Sequence, residues 1–387
     1  MGRKFVSKVS LNQIFRMSCF LSIFPVVGNA AQFGDFGYAV TDGTVIITNY
    51  TGSGGAIIIP GSIESFPVTS IGDNVFLGRT ALTNVVIPNG ITRIGTSAFR
   101  QCSGLSRVTI PDSVITVANY AFYYCSGLTH VTIGAGTTSL GQYAFSSCSG
   151  LNEVKIPNSV SSIGNYAFRY CSGLAGITLG TGVTSIGNEA FKGCGLSNLV
   201  IPDNVITIGY GAFDSCSLVS VTIGNGVTSI GDGAFQGCTQ LTRAVIGTNV
   251  TSIGWYAFQR CNKMKGIYFH GNAPTPGGYA FYWNDNVTTV YYLPGTTGWT
   301  NPWAACPAVV WNPRIQMDST SFGVRSNRFE FVVTGSNNFD VAVESCTNLT
   351  GGRWEFVQTG TLSGGSFLFS DSQITNYAGR FYRLRMP

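Results

Sequence analysis

The fold is decided by a stretch that reads Leu151-Asn152-Glu153-Val154-Lys155-Ile156-Pro157, continues as Val160-Ser161-Ser162-Ile163-Gly164-Asn165-Tyr166-Ala167-Phe168, and ends at Cys171. Copies of this stretch place a phenylalanine at intervals of 22 or 23 residues, at Phe76, Phe99, Phe122, Phe145, Phe168, Phe191, Phe213, Phe235, Phe258 and Phe281. A period in this range is typical of a solenoid, because one unit is too small to bury its apolar face and must stack on its neighbours. The sequence therefore predicts a rod of about ten 22–23-residue repeats.

Each repeat is predicted to contain a strand and a short helical turn. Val154 and Ile156 alternate with Lys155, so the two apolar side chains point inward while the lysine faces solvent. Pro157 has no N–H to donate to a ladder and ends the strand. The apolar residues between positions 163 and 171 have a spacing that places them on one face of a helical turn. We therefore expect a parallel β-sheet accompanied by short helical turns.

Two further regularities concern the loops of the repeat. A glycine stands four residues before the phenylalanine in nine repeats, at Gly72, Gly95, Gly141, Gly164, Gly187, Gly209, Gly231, Gly254 and Gly277. This position predicts either positive φ or close approach to another backbone segment, although Ala118 interrupts the series. The segments Cys194–Leu196 and Cys216–Leu218 are one residue shorter than their equivalents, which indicates a tolerant surface loop.

The repeat resembles a known family. Its pattern, Leu-x-x-Val-x-Ile-Pro followed by Val-x-x-Ile-Gly-x-x-Ala-Phe-x-x-Cys, is similar to the BspA-like leucine-rich repeat of bacterial surface proteins, and it extends over roughly residues 56–292. The resemblance implies an extracellular leucine-rich solenoid without intrinsic chemistry, often tied to adhesion or to binding of host proteins. It implies the fold far more strongly than it implies a ligand.

The beginning of the chain predicts export. Four basic residues precede an apolar stretch from Met17 to Val27, and small residues then allow cleavage after Ala30 or Ala31. The apolar run is about half of the roughly 20 residues needed to span a bilayer. We therefore predict a signal peptide at residues 1–31, a secreted or cell-surface location, and no transmembrane segment in the mature chain.

The charge balance argues against nucleic acid and anionic membranes as partners. The chain has 22 Lys and Arg against 17 Asp and Glu, but four of the basic residues and none of the acidic ones lie in the first 31 positions. Without that segment, 18 basic residues face 17 acidic ones, a net charge of +1. Charged residues total only 10% and their signs are interspersed, so no basic patch is predicted.

The cysteines form a ladder in the sequence. Eight of the eleven stand three residues after the phenylalanine, at Cys102, Cys125, Cys148, Cys171, Cys194, Cys216, Cys238 and Cys261. Such a ladder gives each sulfur two equal neighbours and no defined partner, which favours buried free thiols over disulfides. Zinc ligands come in pairs roughly two to four residues apart, unlike these, and the chain has only two histidines. We predict neither a metal site nor a cofactor.

No catalytic constellation is recognisable in the sequence. His130 is expected in the solvent-facing column of one strand, between Arg107 and Glu153 of the adjacent repeats. No pattern supplies a nucleophile, a base and an orienting group together. The sequence therefore predicts a protein that is not an enzyme, and an active site hidden from sequence reasoning is the weaker alternative.

Tyrosine is the residue that varies in an organised way. Six tyrosines fall in three neighbouring repeats at positions that the register leaves outside: Tyr120, Tyr123, Tyr124, Tyr143, Tyr166 and Tyr170. We call these six the tyrosine surface and take it as the candidate ligand-binding surface, because aromatic side chains with a polar tip anchor interfaces and can stack on sugar rings. The alternative is that they cover the edge of the sheet and stabilise the rod. A second aromatic cluster follows at Trp255, Tyr256, Tyr279, Tyr282 and Trp283.

The rest of the chain is predicted to flank the rod. After the signal peptide we expect an N-terminal β cap at 32–67, the solenoid at 68–292, a C-terminal cap and linker at 293–313, and a β-sandwich-like module at 314–387. Asp42 and Gly43 between alternating apolar residues predict a hairpin in the first cap. Four or five short apolar runs after residue 314 predict the all-β module.

These observations favour an exported repeat protein whose solenoid presents a surface for adhesion or recognition. The partner would be an extracellular protein or a surface glycan. The main rival is a carbohydrate-binding or envelope-anchoring role for the C-terminal module, with the solenoid as a spacer.

Overall fold

The computed structural model describes residues 31–284, 288–318, 320–335 and 340–385. The predicted signal peptide, residues 1–31, lies outside these ranges apart from Ala31. The repeats form a parallel-sheet solenoid of about 11 turns, here called coils, and small all-β sheets follow it. The predicted fold class is confirmed, with one correction to the turns described below.

Most coils contribute two strands to the solenoid, and within the described ranges the last two longer strands have no short strand after them. The longer strands are β4 (Gly55–Ile58), β7 (Leu82–Val86), β9 (Arg107–Ile110), β11 (His130–Ile133), β13 (Glu153–Lys155), β15 (Gly176–Thr178), β17 (Asn198–Ile201), β19 (Ser220–Ile223), β21 (Arg243–Ile246), β23 (Gly266–Phe269), β25 (Thr289–Tyr292) and β26 (Ala308–Val310). The other strands are β6 (Phe66–Ile71), β8 (Arg93–Ile94), β10 (Thr116–Val117), β12 (Ser139–Leu140), β14 (Ser162–Ile163), β16 (Ser185–Ile186), β18 (Thr207–Ile208), β20 (Ser229–Ile230), β22 (Ser252–Ile253) and β24 (Thr275–Pro276). Both sets pair in parallel with equivalent residues in register, as Val108 with Val131 shows.

The longer strands form two sheets instead of one. One sheet runs from β4 to β15 and the other from β17 to β26, whereas the short strands continue in a single sheet past this point. The interruption falls at the first of the two shortened loops, Cys194–Leu196. The second shortened loop, Cys216–Leu218, leaves the pairing of β17 with β19 intact.

The predicted helical turns are instead runs of β-turns. The amide N of Ala98 lies 3.2 Å from its acceptor, the carbonyl O of Gly95, whereas the amide N of Phe99 lies 2.8 Å from the carbonyl O of Ala121 in the next coil. The N–H groups thus point alternately within the coil and along the rod, so a continuous helical ladder cannot form. The apolar residues of this segment point inward as predicted, but their spacing is compatible with a helical turn and with a run of β-turns.

The alternation requires left-handed backbone at two places in every coil. The residues two before and two after the phenylalanine have φ between 49° and 70° in all ten coils. None of the nine glycines that precede the phenylalanine by four has positive φ, so that half of the expectation is wrong. Close approach is the reason instead: a Cβ on Gly164 would lie 2.7 Å from the carbonyl carbon of Gly141.

The core of the rod is two parallel ladders. Successive phenylalanine rings stack with centroids 4.8 to 5.6 Å apart and nearly parallel planes. Beside them, each of the eight ladder cysteines donates its thiol to the carbonyl of a phenylalanine in an earlier coil, from Cys102 on Phe76 (3.0 Å) to Cys261 on Phe235 (3.3 Å). All ten cysteines in the described ranges are unpaired, as predicted for the eight in the ladder.

The N-terminal end is closed by antiparallel strands. These are β1 (Ala31–Phe33), β2 (Phe36–Thr41), β3 (Thr44–Tyr50) and the short β5 (Ser62–Ile63). The predicted hairpin is confirmed, because Thr41 pairs with Thr44 and both Asp42 and Gly43 have positive φ. The hairpin strand β3 then pairs in parallel with β6 and so covers the first edge of the short-strand sheet.

The C-terminal module consists of two small sheets. Its strands are β27 (Arg314–Gln316), β28 (Gly323–Arg325), β29 (Arg328–Thr334), β30 (Asp340–Cys346), β31 (Glu355–Thr361), β32 (Ser366–Asp371) and β33 (Phe381–Arg385), with a 3-10 turn η1 at Ile374–Asn376. β27, β28 and β32 belong to the sheet of β29, while β31 and β33 flank β30. Phe331 and Val343 from the two sheets share one apolar cluster, which makes the module a sandwich.

The module packs against the solenoid. Its apolar cluster includes Val245, Tyr268 and Tyr291, which occupy the outward column of β21, β23 and β25. In earlier coils this column is exposed, for example at Val200. Burial raises the pKa of Tyr268, as does the neighbouring carboxylate of Asp340. The module therefore covers the outward side of the last longer strands, while the domain boundaries themselves stay a prediction.

Candidate functional site

The tyrosine surface lies on the run of β-turns around the phenylalanine ladder, which we call the turn face. Tyr120, Tyr143 and Tyr166 occupy the left-handed position two residues before the phenylalanine. Because they repeat at equal offsets, their rings stack along the rod, with centroids 4.9 and 4.4 Å apart and planes within 9°. The parallel register thus converts a sequence repeat into a column of stacked rings.

The other three tyrosines extend this column sideways. Tyr123 packs edge-on against Tyr120 and Tyr143 at 5.7 and 6.0 Å, and Tyr124 lies 5.7 Å from Tyr123. Tyr170 occupies the second left-handed position of its coil. The structure thus brings all six predicted residues to one face of the rod.

Two arginines that the sequence reasoning did not single out pack on this column. Arg100 lies over the ring of Tyr123 at 5.4 Å, and Arg169 lies over that of Tyr170 at 4.5 Å. Arg169 also places Nε 3.1 Å from the carboxylate of Glu189 and donates to the Tyr170 hydroxyl at 3.1 Å. Such contacts restrict ring motion, since the cation is drawn to the ring face. The signal was present in the sequence as arginine directly after the phenylalanine.

The six rings differ in how much of each a ligand could reach. Tyr124 and Tyr170 are 52% and 47% exposed, whereas the other four are half-buried. Burial raises the pKa of Tyr143, with further contributions from Tyr166 and Tyr120 beside it. The faces of the central rings are covered by their neighbours, so hydroxyl groups and ring edges are what the surface offers for contact.

The tyrosine column occupies a left-handed backbone position that several residue types share. The position held by Tyr143 is glycine at Gly211 and Gly233, the residue that adopts positive φ without steric cost, but other coils place Asn, Ser, Glu or Tyr there with φ also positive. A non-glycine residue there is disfavoured by roughly 1–2 kcal/mol. Stacking of the tyrosine rings and their contacts with Arg100 and Arg169 offset this strain.

The second aromatic cluster is more open. All five of its residues are exposed, from 38% at Tyr256 to 57% at Tyr279. Trp255 and Trp283 stand at its two ends, joined by ring contacts through the tyrosines. We call this cluster the aromatic strip.

A concave region lies on another side of the rod, and sequence reasoning missed it. A cavity of about 620 Å³ opens where the chain leaves β11 and β13, lined among others by Asp112, Thr132, Lys155 and Asn158. Its lining is mixed in charge and contains no nucleophile paired with a base. His130 lies nearby in the predicted column, in register with Arg107 and Glu153.

Burial sets the protonation of two thiols in the cysteine ladder. It raises the pKa of Cys102 and of Cys216 to about 12, so these two sulfurs are protonated near neutral pH. Across the described ranges, no group of three or more His, Cys, Asp or Glu side chains is placed to hold a metal ion.

Comparison with known proteins identifies the repeat. The family described as "BspA type Leucine rich repeat region (6 copies)" matches residues 69–196 and 161–288, more than half of the chain. The chain belongs to the BspA-type leucine-rich repeat family. No functionally curated protein is significantly similar to it.

Several solved structures of bacterial leucine-rich repeat proteins are similar to this BspA-type protein. The leucine-rich repeat protein of T. pallidum is 31% identical, over 55% of this chain and 91% of that one, with a TM-score of 0.45. A leucine-rich repeat protein of Bacteroides ovatus is 22% identical over 69% and 95%, with a TM-score of 0.37. A leucine-rich cell surface protein of Faecalibacterium prausnitzii is 26% identical over 62% and 88%, with a TM-score of 0.33. Within its described part, the BspA-type chain has no helix that is long and apolar enough to cross a bilayer.

Proposed function

We propose that this protein is exported and non-enzymatic, and that its solenoid presents the tyrosine surface to a partner at the cell surface, in adhesion or recognition. The observation that carries the proposal is the column of stacked rings formed by Tyr120, Tyr143 and Tyr166, which brings six tyrosines together on one face of the rod. Aromatic residues held rigidly on a surface lose little entropy on binding, which makes them effective anchors.

Of the two partner classes, an extracellular protein fits this surface better than a glycan. The central rings cover one another's faces, so a sugar ring would find few open faces to stack on. Hydroxyl groups and ring edges remain available, and the mixture of polar and apolar contacts they offer is common in protein interfaces. Tyr124 and Tyr170 project furthest and would be the anchors.

The test uses the full-length protein against arrayed extracellular-matrix proteins and glycans. A variant with Tyr123→Ser, Tyr124→Ser and Tyr170→Ser should bind its protein partner at least about tenfold more weakly, because interface tyrosines commonly contribute more than 1 kcal/mol each. Tyr210→Ser is the matched control, since Tyr210 is 55% exposed on the same rod but outside the tyrosine surface.

Three results would count against the proposal. Unchanged binding with a lowered melting temperature would make the tyrosines a structural cover. Loss of binding in Phe356→Ser, which alters an exposed residue of the C-terminal module, would assign the function to that module and leave the rod as a spacer. Equal loss in Tyr210→Ser would show that the effect is not specific to the surface.

A further inference from the structure

The backbone at the start of the aromatic strip is fixed by a hydrogen bond that recurs along the rod. In five coils, an Asn or Asp side chain three residues before the phenylalanine accepts a hydrogen bond from the backbone N–H at the same position of the next coil. These bonds are 2.8 to 2.9 Å long, and their acceptors are Asp73, Asn119, Asn165, Asn188 and Asp232. The last of them holds the N–H of Trp255 on Asp232.

Trp255 instead lies flat on the next coil. A Cβ on Gly278 would lie only 2.5 Å from Cζ3 of the indole, so the ring rests against the backbone at this glycine. Gly278 does not have positive φ, and its small size therefore serves the indole and not the turn. With one face against the backbone, Trp255 still leaves 53% of its surface exposed.

The strip continues as a row of contacting rings across the turn face. Tyr279 lies 6.4 Å from Trp255, Tyr282 lies 5.2 Å from Tyr279, and Trp283 lies 5.0 Å from Tyr282. At the far end, Arg260 stacks on Trp283 at 4.8 Å. Although Tyr256 and Tyr279 stack on each other, every ring of the strip is exposed, whereas the three rings of the tyrosine column are half-buried.

Polar groups lie next to Trp283, at one end of the aromatic strip. Thr239, Arg260 and Asn262 line a shallow cavity of about 320 Å³ together with Trp283. Among the described residues that line it, none is acidic. The site therefore combines open ring faces with a few hydrogen-bonding groups, the usual composition of a small-ligand site.

We propose that the aromatic strip binds a neutral glycan chain. One face of a pyranose ring is formed by C–H groups, which pack on the negative face of an aromatic ring, while its hydroxyls need polar partners at the edge. Trp255 and Trp283 would each carry a sugar ring, and Arg260 would bind hydroxyl groups at the second. This site is separate from the tyrosine surface and holds whether or not that surface binds a protein.

The experiment measures binding of the full-length protein to soluble glycans, by tryptophan fluorescence and affinity electrophoresis. The probes are neutral oligosaccharides of β-1,4-linked glucose, of mannose and of N-acetylglucosamine, with heparin as the anionic comparison. At least one neutral glycan should bind, and Trp255→Ala and Trp283→Ala should each weaken it about tenfold or more with an unchanged circular dichroism spectrum.

Two variants sharpen the result. Gly278→Ala should weaken binding without replacing an aromatic residue, because the added methyl lifts the indole and meets side-chain atoms rather than backbone. The triple serine variant of the tyrosine surface should bind the glycan normally. The proposal is overturned if none of the neutral glycans binds, if heparin alone binds, or if Trp255→Ala leaves glycan affinity intact.

Discussion

Replacing Tyr143 by glycine and by alanine gives a test in which the usual order of stability is reversed. Both variants lose the stacking of Tyr143 on Tyr120 at 4.9 Å and on Tyr166 at 4.4 Å. Each aromatic pair contributes about 0.5–1.5 kcal/mol, so both variants should lose about 1–3 kcal/mol of stacking energy. At φ 57°, however, alanine keeps the left-handed strain and glycine relieves it.

Relief of this strain stabilises the glycine variant by about 1–2 kcal/mol relative to the alanine variant. The greater freedom of glycine in the unfolded chain destabilises the glycine variant by about 0.5–1 kcal/mol. We therefore expect Tyr143→Gly to be more stable than Tyr143→Ala by roughly 0.5–1 kcal/mol. The assay is equilibrium unfolding in urea followed by circular dichroism. Gln142 is the neighbouring control because its φ is not positive, so Gln142→Gly should be less stable than Gln142→Ala. The same order at both positions would refute the reasoning.

Three more predictions follow from the core and the interface. Phe168→Ala should lower the free energy of unfolding by about 3–5 kcal/mol, because the Phe168 ring is fully buried between two stacked neighbours. Phe281→Ala should lower it by less, because Phe281 is at the end of the ladder and has one stacked neighbour. The midpoints of urea unfolding curves measure both effects. Burial raises the pKa of the Cys102 thiol from 9.0 to about 12, so on raising the pH this thiol loses its proton earlier in the unfolded chain than in the folded one. The stabilisation that this thiol contributes should be fully present below about pH 9 and should be lost as the pH rises toward 12. In Cys102→Ala the free energy of unfolding should therefore fall less steeply over this range. A midpoint that does not fall over that range would contradict the assignment. Tyr268→Asp should release the C-terminal module from the solenoid, because the substitution buries a carboxylate at the contact between them. Proteolysis near residue 313 should then become faster. Thr222→Asp is the control and should not have this effect, because Thr222 lies in the same column but is exposed.

The sequence was sufficient for those parts of the fold that repeat. The interval between phenylalanines predicts the stacking, and the inward cysteines follow from the same register. The turn geometry could not be inferred, because the spacing from Ile163 to Cys171 suits a helix as well as a run of β-turns. The decisive information lies in the hydrogen bonds, which alternate between one coil and the next. A hint was present in Gly211 and Gly233, which share a column with the tyrosines.

The sequence predicts where the residues of the candidate site lie, but not how their side chains pack. The six tyrosines could be placed on one outer face from register alone, but their mutual coverage depends on ring orientation. The contact of the C-terminal module was missed because Tyr268 and Tyr291 occupy a column that is solvent-facing in earlier coils. The available signal was the pair of consecutive aromatic residues at Tyr268 and Tyr291, because a single apolar residue such as Val200 is exposed in the same column. Nothing local in the sequence marks which other segment covers it.

The ladders join residues at fixed positions of neighbouring repeats, and this limits which insertions and deletions in the gene the fold can accept. Ring stacking, thiol to carbonyl bonds and the Asn and Asp bonds all join residues at fixed repeat intervals. Losing one residue inside these ladders shifts every later coil out of step, whereas duplicating or losing a whole repeat gives each residue an equivalent partner. The one-residue deletions follow Cys194 and Cys216, in the loops between the cysteine ladder and the next longer strand. Unequal recombination between repeats can therefore lengthen or shorten the rod in whole steps, and its reach can evolve while both ends stay the same.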